Sequence, residues 1–315
     1  MYAPVHPLAH PQMVNAMTVT RSSGSPITEQ LFPLIFAARN PEGHKGTFGS
    51  IGILGGAAGM TGAAILAGRA ALHSGVGKTY LALAQSPLPV AYDSNHPELM
   101  LHEASTLVEQ AAMMDAWVAG CGLGLTPDAL NLLRRLMGLR AGRPLVLDAD
   151  ALNALARGDI SDTWGNGLVV LTPHPTEAAR LLKTDTQSVQ SNRPEAAQTL
   201  AHQYHCWVVL KGAGTIVCAP EGNWLINTTG NVGLATGGTG DVLSGLLGSL
   251  LAQGIPPEQA IPAGVWLHGA AADDLVAQGK GPIGLTAGEL PLAIRDLRNR
   301  VSFKKTTTHP TLTHL

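Results

Sequence analysis

Residues 227–251 read NTTGNVGLATGGTGDVLSGLLGSLL, a glycine-rich run that passes into a leucine-rich one. Gly230, Gly233, Gly237, Gly238 and Gly240 leave the backbone free to take positive φ. From Val242 onward, Leu243, Leu246, Leu247, Leu250 and Leu251 recur at the spacing of one apolar helix face. Gly237-Gly238-Thr239-Gly240 is therefore read as a loop feeding a helix N-terminus. Such a loop aims unpaired N–H groups and the positive end of the helix dipole at one point, which suits a phosphate or an anionic transition state. Asp241 stands at the mouth of that pocket. The same residues also suit a plain glycine turn with Asp241 or Thr239 as N-cap. In either reading the dipole favours an ionised Asp241 at neutral pH, and Asp241→Asn is expected to cost at most about 1 kcal/mol of stability.

Upstream of this stretch, short apolar runs alternate with helical patterns. Strands are expected at residues 50–54 (SIGIL), 78–84 (KTYLALA), 98–101 (ELML), 116–119, 144–147 and 168–171. Helices are expected at 28–38, 61–73, 105–113, 127–137, 151–156, 176–182 and 194–204, with three more after residue 238. The fold class is therefore α/β, a mostly parallel central sheet covered by helices on both faces. Runs at 207–210, 215–219 and 223–226 follow one another without a helix, which predicts an antiparallel edge. No low-complexity linker interrupts the pattern, so residues 27–301 are expected to form one domain. Residues 1–26 read as a mobile N-terminal arm and 302–315 as a disordered polar tail.

Composition narrows the function. The 315 residues are 45% hydrophobic and only 13% charged, with net charge −2. No basic stripe offers itself to nucleic acid and no polybasic patch to a membrane, so a small-molecule ligand is expected. Cys121, Cys206 and Cys218 lack metal-type spacing and read as reduced, buried thiols of a cytoplasmic protein.

Several loops carry candidate chemistry. Gly75-Val76-Gly77-Lys78-Thr79 ends like a P-loop, but position 72 is Leu72 and the segment leads into a strand, so it is set aside. Gly120, Gly122 and Gly124 follow a strand and suit either a backbone contact to substrate or a tight turn. In Asp148-Ala149-Asp150-Ala151-Leu152-Asn153, Asp150 reads first as a helix cap. Two prolines stiffen the loop around His174, a candidate ligand contact, and Glu177 is either a helix-start acid or an aid to a hydrated Mg2+. Lys211-Gly212-Ala213-Gly214-Thr215 offers a point charge, a hydroxyl and close backbone approach, which suits a nucleotide's phosphates as well as a hairpin turn.

Taken in order, Lys45-Gly46-Thr47-Phe48-Gly49, Gly55-Gly56 with Thr61-Gly62-Ala63-Ala64, Gly122-Leu123-Gly124, Asp148 to Asn153, His174-Pro175-Thr176-Glu177, Lys211 to Thr215 and Gly237 to Asp241 resemble the ADP-dependent NAD(P)H-hydrate dehydratases. The resemblance covers roughly residues 27–300. It implies a ribokinase-like fold and the stand-alone enzyme, since fused relatives carry an epimerase domain ahead of this one. Cys121 is a departure, standing where many relatives have proline.

Residue by residue, the resemblance implies that Ala63, Ala64, Gly122 or Gly124, His174 and Asp241 contact the hydrated nucleotide, NADHX or NADPHX in its S epimer. It implies that Lys211, Gly212, Ala213, Gly214, Thr215 and Gly240 hold ADP/AMP, and that Mg2+ bridges the phosphates. Asp241 is then the base, and amides of Gly238, Thr239 and Gly240 form an anion hole. Products would be NADH or NADPH, AMP and phosphate. A homotetramer, and an NAD(P)HX epimerase on a separate chain, complete what it implies. A ribokinase-like kinase of a vitamin precursor and a non-catalytic nucleotide-binding protein are the competing readings; Asp241 and Lys211 together argue against the second.

Overall fold

The computed structural model describes residues 24–307. Within them, strands β1 (Ser25–Pro26), β2 (Ser50–Gly55), β3 (Lys78–Leu83), β4 (Met100–Glu103), β5 (Ala116–Ala119), β6 (Leu145–Leu147), β7 (Val169–Leu171), β8 (Trp207–Leu210), β9 (Ile216–Cys218) and β10 (Trp224–Ile226) form one sheet. Its spatial order is β1-β10-β9-β8-β7-β6-β5-β2-β3-β4. From β8 to β4 every pair is parallel, and β9 runs antiparallel to both β8 and β10. The helices are α1 (Thr61–His73), α2 (Ala104–Leu107), α3 (Pro127–Leu139), α4 (Asp150–Ala156), α5 (Pro175–Leu182), α6 (Thr186–Ser191), α7 (Arg193–Tyr204), α8 (Thr239–Ala252), α9 (Pro257–Ala277) and α10 (Leu290–Thr307).

The central strands are apolar on both faces because both faces are covered. One core layer packs α1, α8, α9 and α10 on the sheet, and the other packs α3, α4, α5 and α7 on its opposite face. The tightest of these contacts joins α1 to α8. A Cβ at Gly245 would lie 2.0 Å from the Ala67 carbonyl oxygen, so only glycine permits this approach. Ser249 Oγ then donates to the Ala71 carbonyl at 2.9 Å. This contact fixes where the N-terminus of α8 lies, directly over the carboxyl ends of the parallel strands.

Three expectations are corrected. Ser25–Pro26, expected in the mobile arm, adds to β10 as a short parallel strand outside the expected antiparallel β8-β9-β10 edge. Residues 1–23 of that arm lie outside the described residues. At the other end α10 runs on to Thr307, so the tail expected from 302 begins as helix, and 308–315 lie outside the described residues. The helix expected at 28–38 is two short 3-10 turns, Glu29–Leu31 and Pro33–Phe36, since Pro33 lacks the N–H that a continuous helix needs.

Candidate active site

The loops after β5, β6, β7 and β8 converge under the first turn of α8. Gly238 caps α8 in the left-handed region at φ +91, which turns the chain from the loop into the helix. Thr239 spends its hydroxyl locally, on the carbonyls of Leu234 (2.8 Å) and Thr236 (3.0 Å), and its amide leans on Thr236 as well. Of the amides expected to form an anion hole, that of Thr239 is thus partly engaged, while those of Gly238 and Gly240, like that of Asp241, have no intrahelical acceptor. Behind them, His268 of α9 donates Nε2–H to the Thr239 carbonyl at 2.9 Å, and burial pushes its imidazole down to about 4, so it is a neutral structural donor.

Asp241 is partly buried, and here the structure departs from the dipole argument. Burial first, then the nearby Asp148 carboxylate, raise its pKa from 3.8 to about 6, against smaller lowering effects of Cys121 and Lys211. The dipole is outweighed, yet the group stays mostly ionised at neutral pH with a basicity far better suited to taking a proton.

Asp148 is 2% exposed and is fully engaged. One oxygen accepts from Lys211 Nζ at 2.8 Å and the Ala149 amide at 3.0 Å, the other from Ser244 Oγ of α8 at 2.7 Å. Glu177 lies 4.0 Å from the same Nζ. Burial works against the Lys211 charge, but Asp148 and Glu177 more than offset it and raise its pKa, so the ammonium is secure. Asp150 does not cap α4 as expected; its carboxylate reaches back to the Gly124 amide at 2.8 Å.

His174 and Glu177 form a capping box on α5. His174 Nδ1 accepts from the amides of Thr176 (3.1 Å) and Glu177 (3.3 Å), while Glu177 accepts from the His174 amide at 2.8 Å. Nδ1 is thereby an acceptor and Nε2 lies 3.4 Å from Glu177 Oε1, while burial, then Lys211 and Arg180, hold the imidazole pKa below its ordinary value. Glu177, expected either as a helix-start acid or as an aid to a hydrated Mg2+, is placed as a buried helix cap 4.0 Å from a lysine. Asp148 is likewise spent on a cation, although Cys121, Asp148 and Asp241 offer donor atoms within 4.8 Å of one another. The donor set does not fit a protein-held Mg2+.

Ala63 and Gly122 are neighbours at the substrate-side loops: a Cβ at Gly122 would come 3.1 Å from that of Ala63. Ala64, the next residue of the segment, is fully buried, so only its backbone could face a ligand. In the Lys211–Thr215 turn, Thr215 Oγ donates to the Gly212 carbonyl at 2.9 Å. Arg193 of α7 braces the turn from outside, donating to the carbonyls of Leu210 (3.1 Å), Lys211 (3.2 Å) and Ala213. Sequence reading missed Arg193, Ser244 and His268, none of which stands in a recognisable motif.

A mostly parallel sheet whose carboxyl-end loops meet an anion-binding helix terminus, with a carboxylate at its mouth, defines a ribokinase-like α/β protein. Comparison narrows this. The family model described as NAD(P)H-hydrate dehydratase matches residues 51–294. The chain is 45% identical over 273 residues to the ADP-dependent (S)-NAD(P)H-hydrate dehydratase of Neisseria meningitidis serogroup B, covering 86% of this chain and 92% of that one. It is 38% identical to the bifunctional NAD(P)H-hydrate repair enzyme of Moorella thermoacetica, covering 84% of this chain and about half, 52%, of the relative. The ADP/ATP-dependent NAD(P)H-hydrate dehydratase of Bacillus subtilis, co-crystallised with ATP/Mg2+, superposes with TM-score 0.75 at 32% identity, covering 84% of this chain and 94% of that one. The chain belongs to the NAD(P)H-hydrate dehydratase family.

Proposed function

We propose that this protein dehydrates the S epimers of NADHX and NADPHX at the expense of ADP, returning NADH or NADPH with AMP and phosphate. The observation that carries this reading is the placement of Asp241 and the helix-terminal amides of α8 beside Lys211, which Asp148 holds at 2.8 Å on the neighbouring turn. Hydroxide on the carbon next to the ring nitrogen is a poor leaving group. Transfer of the β-phosphoryl group of ADP to that hydroxyl gives a phosphate ester and AMP, and Asp241 accepts the hydroxyl proton. Amides of Gly240 and Asp241 take up charge on the phosphoryl group in flight. The ring nitrogen's lone pair then expels phosphate, and loss of a proton from the adjacent carbon restores the dihydropyridine.

The Lys211–Thr215 turn, braced by Arg193, holds the nucleotide, with Lys211 as a fixed positive charge and Gly240 at its edge. Ala63, Gly122, Gly124 and His174 line the side where the hydrated ring sits. Mg2+ would come with the nucleotide and would neutralise charge on its phosphates, since the donor set above does not fit a protein-held ion. We further propose that the protein is a cytoplasmic homotetramer whose functional partner is an NAD(P)HX epimerase. No described helix is long and apolar enough to cross a membrane.

Reaction stoichiometry tests the reading. Hydrated NADPH, ADP and Mg2+ should yield NADPH, AMP and phosphate in equal amounts, with no ADP breakdown in the absence of hydrate. Recovery of a stable phosphate ester would make the protein a kinase.

A further inference from the structure

Asp148 does not touch the space where the reading above puts the substrates, yet it is the most heavily bonded carboxylate in the site. It sits between the two groups that reading depends on: Lys211 on β8's turn at 2.8 Å, and α8, through Ser244, at 2.7 Å. Gly240 is packed against both, for a Cβ there would lie 3.4 Å from Lys211 Nζ and 3.8 Å from Asp148 Oδ2. The backbone is distorted to make this possible. Ala149 holds φ +49 and ψ −111, a conformation alanine avoids, and it sends the two flanking carboxylates apart. Asp148 turns toward Lys211 and α8, while Asp150 turns to the Gly124 amide on the substrate side.

We propose that Asp148 is a positioning residue: a buried anion that locks Lys211 and the first turns of α8 to each other beside the Asp241 carboxylate. The proposal rests on the dehydratase reading for the roles of Lys211 and Asp241, but the contacts stand without it. The charged and titratable groups around Asp241 are few. Asp148 and Asp150 oppose its ionisation, Lys211 and the Cys121 thiol favour it, and His268 behind the turn is neutral. Removing the closest like charge therefore has one direction: Asp241 becomes a weaker base.

The test is a carbon-13 titration of the aspartate carboxyls in the ligand-free chain, paired with calorimetry of ADP binding. In Asp148→Asn the Asp241 midpoint should fall from about 6 by roughly one pH unit, and ADP should bind more weakly because Lys211 has lost its anchor. Asp150→Asn should move the midpoint less. Asp148→Ser, smaller and uncharged, should give the same shift as Asp148→Asn and serves if the latter does not fold. The acid limb of kcat/KM should move with the NMR midpoint. A residue with only a structural role would lower stability and leave the midpoint in place, and that result, or unchanged ADP affinity, overturns the proposal. Failure of the dehydratase reading would show separately, as absent NADPH formation by the wild-type chain with the titration shift intact.

Discussion

Replacing Asp241 by asparagine should make the protein more stable at neutral pH. The carboxyl binds its proton more tightly in the fold, at about 6, than at its ordinary 3.8. Each unit of difference is worth about 1.4 kcal/mol, so keeping the group ionised in the native state costs up to about 3 kcal/mol. The sign follows from which form the fold prefers. Below the ordinary value both states are protonated and there is no penalty; it builds as pH rises between the two values and is complete above the higher one. Asparagine keeps the size and removes the charge, so denaturant unfolding near pH 7.5 should show a gain of up to about 3 kcal/mol, shrinking to about half of that near pH 5. Neighbouring carboxylates point the same way, since Asp148 loses a like-charged companion. A loss of stability, or a gain that does not change between the two pH values, would refute the argument. The expectation from sequence, a loss of at most about 1 kcal/mol, is thereby reversed, and the cost is best understood as strain kept at a working site.

Two further outcomes follow from the loops. His174→Ala should raise KM for the hydrate with kcat nearly unchanged and lower stability by about 1 kcal/mol, because the imidazole caps α5; His174→Asn, which can cap, should recover the stability and not the KM, as read by steady-state kinetics beside thermal unfolding. Arg193→Lys should weaken ADP binding nearly as much as Arg193→Ala in calorimetry, since an ammonium cannot span the three carbonyls that the guanidinium holds.

The reach of the sequence was set by how local each signal is. Strands such as Ala116–Ala119 and Trp207–Leu210 were legible to the residue, because burial on both faces writes a continuous apolar run. The glycine loop and its leucine helix were legible for a similar reason. β1 was not, as Ser25 and Pro26 have no strand character of their own and are extended only because β10 offers an edge. The candidate site shows the same division. The loops that carry its chemistry could be read as motifs, but the tie from Asp148 to Ser244 spans 96 positions and no spacing rule reports it. Asp241 was read from its helix dipole, a term local to α8, whereas burial and the carboxylate of a distant loop decide its basicity. Ala63 and Ala64 read alike in the sequence, and helix periodicity separates their side chains, turning one toward Gly122 and the other into the core.

The central claim is that Asp241 takes the proton while the Lys211 turn holds the nucleotide, and a single-turnover comparison of the wild-type chain with Asp241→Asn addresses it directly. With hydrated NADPH, ADP and Mg2+, recovery of dihydronicotinamide absorbance should slow by about 10²–10⁴-fold in the variant, while ADP affinity stays near the wild-type value. Near-full activity in a folded Asp241→Asn protein would leave Asp241 as a helix-terminal acid and contradict the account.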